Sequence, residues 1–188
     1  MTECVKKQAE TNEQRARQLA ACGAALSLIK RKDPNAMRAL IALSRDNDPI
    51  VRARAAECLM EAGGQRAIIG LMNLLDDNNP DVRQIAIDAL GVLRAYIAME
   101  KLETILAKDP DVKTRLRAAR SLGKLGSKIG LLLIIRLLDE KDEYLKRLAV
   151  RSLQDIIGKY FEPTAEGVKS AKRYLEINMH KFIDGGAI

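Results

Sequence analysis

The residues of this chain that could bind another molecule are concentrated between Val112 and Leu138. This stretch contains seven basic residues and no acidic one. Four of the basic residues are spaced by four, three and four places, which puts them on one face of a helix: Lys113, Arg117, Arg120 and Lys124. A cationic helix face can dock an acidic partner, and the alternative is an ordinary solvated face.

The segment that follows, SKIGLLLIIRLL, is apolar on more faces than a surface helix requires. Four of its residues suffice for a core: Ile129, Ile134, Leu137 and Leu138. We predict that the others form an exposed surface, joined by two residues of an earlier helix: Leu132, Leu133, Ile135 and Arg136, with Ile69 and Met72. A patch of this kind usually marks a partner site. The alternative is that the last hairpin of the chain covers it.

Catalytic residues are not apparent in the sequence. The single histidine, His180, lies near the carboxyl end, so no set of serine, histidine and acid can be assembled around it. Asp76, Asp77 and Asp81 lie at a predicted helix start, where capping explains them. The three cysteines, Cys4, Cys22 and Cys58, have no metal-ligand spacing. We therefore predict no catalytic, cofactor or metal site, and a protein that is not an enzyme.

A basic residue recurs at a nearly fixed interval along the chain, at Arg52, Arg83, Arg115 and Lys146. Successive members are 31, 32 and 31 residues apart. An aspartate or asparagine stands four places before each one, and an aspartate or glutamate stands six places before it. A basic residue in every copy of a repeat is a structural feature, so we predict a series of ion pairs along the stack and no ligand site.

Apolar residues follow the same interval and define the elements that carry these side chains. Around each basic residue the sequence has an apolar or threonine residue one place before, an alanine three places after and a leucine seven places after. This spacing predicts an amphipathic helix. A second apolar series follows each of these helices, so each repeat is a helical hairpin. Its first helix is predicted to be capped by Asp48, Asn79, Asp111 or Asp142.

Composition agrees with stacked helices in the cytoplasm. The chain of 188 residues is 47% hydrophobic but only 3% aromatic, which favours an all-α core. The odd number of cysteines and the absence of a signal-like apolar segment predict a reduced, cytoplasmic setting. The longest apolar run is about half of what a membrane-spanning helix needs, so we predict no insertion into a membrane.

The segment from Asn79 to Gly91 follows the pattern D-x-x-V-R-x-x-A-x-x-A-L-G, with asparagine at the first position. This pattern resembles the HEAT-repeat family, in particular its short bacterial phycobilisome-lyase-like variety, and the likeness extends over residues 16–157. The resemblance implies a right-handed α-solenoid, an armadillo-like superhelix. We expect one array over residues 1–188, with about five stacked hairpins near 10–45, 46–75, 76–107, 108–138 and 139–178 and a tail at 179–188.

These features together predict a non-catalytic binding module or adaptor that acts as a scaffold. It would bind another protein with an acidic surface through the concave face that the resemblance implies for its second helices, and through the basic repeat at 108–138. The apolar patch would serve a second copy of the chain equally well, as a homodimer. A net charge of +7 also allows sequence-independent binding of nucleic acid, although the stacking aromatics of single-strand readers are scarce. A third alternative, an accessory subunit of a tetrapyrrole lyase, follows from the resemblance alone.

Overall fold

All regular structure in the described part of the chain is helical. The computed structural model describes residues 3–31, 33 and 35–183, with side chains described for 11–31, 33 and 35–178. The prediction of an all-α protein is confirmed for these residues. The chain separates into two compact units, one ending at Leu93 and one beginning at Arg94. None of the helices searched is long and apolar enough to span a bilayer.

The first unit contains five α-helices and one 3-10 turn. The α-helices are α1 (Glu3–Lys30), α2 (Ala36–Leu43), α3 (Pro49–Ala62), α4 (Gly64–Asn73) and α5 (Pro80–Val92), and the 3-10 turn is Leu74–Asp76. Helix α3 packs against all four other helices of the unit. Helix α1 begins at Glu3, earlier than the repeat start expected near residue 10.

The second unit also contains five α-helices after a 3-10 turn. The turn is Tyr96–Ala98, and the helices are α6 (Met99–Lys108), α7 (Val112–Lys124), α8 (Lys128–Leu137), α9 (Glu143–Ile157) and α10 (Ala165–Ile183). Helices α7 and α9 lie side by side, and α8 packs across both of them and against α10. Helix α10 continues past the hairpin end expected at 178, while residues 184–188 of the expected tail lie outside the described residues.

The predicted helix caps are confirmed at all four positions. The side chains of Asp48, Asn79, Asp111 and Asp142 each accept a hydrogen bond from a backbone amide of the first turn of their helix. These amides have no partner inside the helix, so a side-chain oxygen at this position stabilises the helix by about 1 kcal/mol. The same residue type therefore fixes where the first helix of each repeat begins.

The core positions predicted for the first helix of each repeat are confirmed with one exception. All alanines and leucines of the repeat pattern are fully buried: Ala55, Ala86, Ala118 and Ala149, with Leu59, Leu90, Leu122 and Leu153. At the position before the basic residue, Val51, Val82 and Thr114 are also fully buried, whereas Leu145 is only partly so. Thr114 replaces a valine here because its hydroxyl donates to the carboxylate of Asp111, at 2.7 Å.

The core of the second unit brings α7 and α8 unusually close at Gly130. A Cβ atom built on Gly130 would lie 2.5 Å from the carbonyl oxygen of Ala119 and 2.7 Å from the Cβ of Leu122. Only glycine leaves room for this approach. The corresponding positions in the earlier hairpins are Ala67 and Ala98. The contact fixes which face of α8 is turned toward α7, and so which residues of α8 remain outside.

Candidate functional site

Helix α8 carries an apolar stripe on its outer face. Ile129 is 56% exposed and Leu132 is 47% exposed, while Leu133 is half-buried. Together with the exposed Arg136 these residues have the spacing i, i+3, i+4 and i+7, which places them on one helix face. We call Ile129, Leu132, Leu133 and Arg136 the α8 stripe. Ile135 lies beside it, half-buried and packed, like Leu133, against the core cluster of the second unit.

The prediction that Ile129 fills the core is wrong. Leu131, which is 2% exposed, takes that place together with Ile134 and Leu138. The reason is the close approach at Gly130, which turns that residue toward α7 and its neighbour Ile129 away. The sequence did contain a signal, since the corresponding residue of the first unit is the charged Arg66. Leu137, also predicted for the core, is half-buried at its edge.

A groove of about 570 Å³ adjoins the α8 stripe at the carboxyl end of α8. Leu133, Arg136 and Leu137 line one side of it, and Asp139, Glu140 and Lys141 of the following turn line the other. The groove therefore has apolar side chains and both signs of charge at its rim. It extends the stripe beyond the last turn of the helix.

The basic residues predicted on one face of α7 border a smaller cavity of about 130 Å³ between α7 and α9. Helix α7 contributes Lys113, Leu116, Arg117 and Arg120, and α9 contributes Tyr144, Leu148, Arg151 and Ser152. We call this cavity the α7–α9 pocket. Lys124, the last of the predicted stripe, lies outside it. Arg120 donates to Asp155 at 3.2 Å, and the Lys124 ammonium lies 3.9 Å from the same carboxylate.

The two predicted site residues of the first unit lie on α4. Ile69 is 52% exposed and Met72 is half-buried. Ile69 corresponds to Leu132 and Met72 to Ile135 in the repeat alignment. The same two positions of the hairpin are therefore apolar and at least partly accessible in both units.

The recurring arginines hold the loop before their own helix. The Nη1 atoms of Arg52, Arg83 and Arg115 each donate to the backbone carbonyl six residues earlier, at 2.7 to 2.8 Å. Each also donates to the carbonyl five residues earlier, at 3.0 to 3.4 Å. These bonds satisfy carbonyl groups that the preceding turn leaves without a helical partner. A structural role is therefore seen for the three arginines, but the predicted series of ion pairs is not: Arg115 has no carboxylate partner among the described residues, and Lys146 pairs with Glu143 of its own helix.

The carboxylate that pairs with Arg52 comes from the following hairpin. Arg52 donates from Nε at 2.6 Å and from Nη2 at 2.8 Å to the two oxygens of Asp77, and both side chains are largely buried. Burial alone would raise the pKa of Asp77. The hydrogen bonds from Arg52 and from the Asn79 amide, helped by the nearby arginine charges, nevertheless lower this pKa. The aspartate four places upstream, Asp48, instead caps its own helix and binds Arg15.

The described cysteines are inert thiols in the core of the first unit. Cys22 and Cys58 are both fully buried and neither forms a disulfide. Burial, together with the neighbouring Cys58, raises the pKa of Cys22 to about 11, and burial also raises the pKa of Cys58. A thiol with a raised pKa is a poor nucleophile and a poor metal ligand at neutral pH. The side chains of Cys4 and His180 lie outside the described residues.

Comparison with known proteins places the chain among helical repeats. The family model for HEAT repeats matches residues 6–91 and 99–171. A solved structure, the complex of CpcE and CpcF of phycocyanin lyase from Nostoc sp. PCC7120, superposes with a TM-score of 0.52 at 23% identity. The match covers 77% of this chain and 91% of that one. No curated protein matches the sequence. The all-helical structure and these likenesses confirm the predicted α-solenoid.

Proposed function

The chain belongs to the HEAT-repeat family, and from this premise we propose that it is a non-catalytic, cytoplasmic adaptor that binds a protein with an acidic surface. Stacked helical hairpins build extended surfaces, and each hairpin can vary its exposed residues without disturbing the core. The fold itself does not specify a partner, so the proposal depends on the exposed residues.

The observation that carries the proposal is the α8 stripe. Burying the exposed half of a leucine or isoleucine side chain contributes on the order of 1 kcal/mol, so leaving Ile129 and Leu132 in water forgoes this stabilisation. The position of Leu132 is held in the preceding hairpin by Glu100, a residue type expected at a solvated position. Apolar side chains beside an arginine make good anchors at the centre of an interface. Ile69 and Met72 are proposed to serve the same purpose in the first unit.

Charge supports an acidic partner. The second unit contains 19 basic and 13 acidic residues, a net charge of +6, whereas the first contains 13 and 12, a net charge of +1. A surplus of one sign attracts an oppositely charged partner over several ångströms and raises the rate of association. The α8 stripe lies in the unit with the surplus. The partner surface that fits it is therefore an apolar patch surrounded by carboxylates.

The test of this proposal is the capture of partners from a lysate of the source cells with purified wild-type protein and with Leu132→Glu. A charge at Leu132 would have to be desolvated in the interface, so we expect partner recovery to fall by at least about tenfold. Each recovered protein is then purified and its dissociation constant for both variants is measured. The matched control is Ile177→Glu on α10, because Ile177 is 65% exposed and lies outside the stripe.

Equal recovery of every partner with Leu132→Glu and with wild type would contradict the proposal. Thermal unfolding of both glutamate variants checks that neither has lost its fold. Light scattering of the wild-type protein tests the homodimer. A dimer that dissociates on Leu132→Glu would replace the foreign partner by a second copy of this chain.

The alternative function, sequence-independent binding of nucleic acid, would use the cationic face of α7. It predicts affinity for duplex DNA that falls steeply with added salt, with a shallower salt dependence after Arg117→Ala. Absence of binding to duplex at low salt would exclude it. The likeness to a phycocyanin lyase subunit, at 23% identity, concerns the fold alone and supplies no argument for a tetrapyrrole-related role.

A further inference from the structure

The α7–α9 pocket has a lining that is cationic around an apolar floor. Four of its eight lining residues are basic, namely Lys113, Arg117, Arg120 and Arg151, and none is acidic. The floor is formed by Leu116, which is buried, and Leu148, which is half-buried. Tyr144 and Ser152 add hydroxyl groups. An acidic side chain fits such a lining, because its methylene groups contact the apolar side chains and its carboxylate accepts hydrogen bonds from the basic ones.

One neighbouring carboxylate lies beside this lining. Asp155 lies one turn beyond Arg151 on α9 and contacts Arg120 and Lys124, at the end of the pocket away from Lys113. Lys113 and Arg117 are spaced i, i+4 on α7, where like charges destabilise a helix. Lys113 and Arg151 are exposed and approach the pocket from opposite helices. Neither Lys113 nor Arg151 forms an ion pair with another of the described residues, so these two cations are available to a ligand.

The volume of the pocket limits its ligand to one small group. A cofactor or drug-sized ligand occupies a cavity of about 300–1,000 Å³, and the α7–α9 pocket has about 130 Å³. A nucleobase with its sugar would not enter. The aromatic side chains on which single-stranded nucleic acids stack are represented in the lining by Tyr144 alone. One carboxylate on a short methylene stem fits both the volume and the donors.

We propose that the α7–α9 pocket binds the side chain of a glutamate or aspartate in an extended acidic segment of a partner protein. Guanidinium groups form paired hydrogen bonds with carboxylates, and these charge-assisted bonds are about twice as strong as neutral ones. The methylene groups of a glutamate contact Leu116 and Leu148. This inference rests on the proposed function for the identity of the ligand as a protein, and it assigns a contact separate from the α8 stripe.

The experiment measures binding of a fluorescent peptide of about ten residues in which glutamate alternates with glycine, by anisotropy with the full chain. The pocket variant is Lys113→Gln with Arg151→Gln. The matched control is Lys108→Gln with Arg173→Gln, which removes the same charge from exposed positions of the second unit that do not line the pocket. We expect the pocket variant to weaken binding by at least about tenfold and the control by less than about threefold.

Three outcomes would overturn the inference: no binding of the glutamate peptide to wild type, equal weakening by the two double variants, and equal binding of a peptide with glutamine in place of glutamate. Tighter, pocket-dependent binding of duplex DNA would also overturn it in favour of nucleic acid. Thermal unfolding of the pocket variant at or slightly above the wild-type temperature shows that the loss concerns the ligand. Failure here with Leu132-dependent capture intact would leave the proposed function standing. Pocket-dependent peptide binding without Leu132-dependent capture would overturn the α8 stripe as the partner site and leave the pocket assignment standing.

Discussion

In the unit that ends at Leu93, the recurring arginine Arg52 forms a buried ion pair with Asp77. In the unit that begins at Arg94, the corresponding Arg115 forms no such pair with any described carboxylate. Arg115 donates to the carbonyls of Asp109 and Pro110, and the glutamate that matches Asp77 in the repeat, Glu140, is exposed at the groove beside the α8 stripe. The first unit thus uses this carboxylate inside its own fold. The second leaves cations and a carboxylate at its surface.

This difference shows which positions of the repeat carry structure and which are available for binding. The helix caps, the buried alanines and leucines, and the arginine bonds to backbone carbonyls are the same in both units. Surface positions vary from hairpin to hairpin: the position of Leu132 holds Glu100 in the preceding hairpin of the same unit and Ile69 in the first unit. A substitution at a surface position does not disturb the packing of the core, so these positions can be adapted to bind a partner.

The largest effect is expected for Asp77→Ala in the first unit. This change leaves the largely buried guanidinium of Arg52 without its carboxylate and removes the bond to the Asn79 amide. Breaking a buried ion pair on one side costs about 3 kcal/mol, so the free energy of unfolding should fall by about that amount. Chemical denaturation followed by circular dichroism measures it. Asp81→Ala, which removes an exposed carboxylate of the next helix turn, is the control and should cost less than about 1 kcal/mol.

A pair of glycine substitutions should have opposite signs in the two units. Gly130→Ala places a methyl group 2.5 Å from the Ala119 carbonyl, and overpacking of this kind costs about 1–3 kcal/mol. Gly23→Ala in α1 meets no atom within 4 Å and should stabilise the helix by about 0.5–1 kcal/mol. Thermal unfolding of both variants checks the prediction. It is wrong if alanine at 130, the residue type of the earlier hairpins, is neutral or stabilising.

Gly130 also shows how far the sequence could predict this molecule. The interval of 31 or 32 residues predicted the helices, their caps and the buried positions, because one spacing determines all three. The close approach of α8 to α7 could not be predicted, since the earlier hairpins have alanine at the position of Gly130. The charged Arg66 at the corresponding position of the first unit indicates an exposed Ile129, whereas the apolar run alone does not distinguish Leu131 from its neighbours. The spacing of the basic residues predicts their common face on α7, but their contact with Tyr144 and Arg151 of α9 depends on the packing of two helices, which the spacing does not give.

Low pH should destabilise the first unit by breaking the ion pair between Arg52 and Asp77. The pKa of Asp77 is lowered in the folded chain, so its contribution to stability is complete above the ordinary aspartate pKa of about 3.9. This contribution is lost as the pH falls through the lowered pKa. The difference in unfolding free energy between wild type and Asp77→Asn should therefore be constant from pH 7 to about pH 5 and shrink below about pH 4. A constant difference down to pH 2 would contradict this assignment.

The smallest effect concerns the cations of α7. Lys113 lies one turn from Arg117 on an exposed face, so Lys113→Gln removes a like-charge repulsion and should raise the free energy of unfolding by a few tenths of a kcal/mol. Added salt should abolish the gain, because exposed charges are screened. Lys169→Gln, which removes an exposed ion pair with Glu166, should change stability in the opposite direction by a similar amount. If Lys113→Gln instead destabilises the chain, the cations of α7 support the fold and their clustering needs no ligand to explain it.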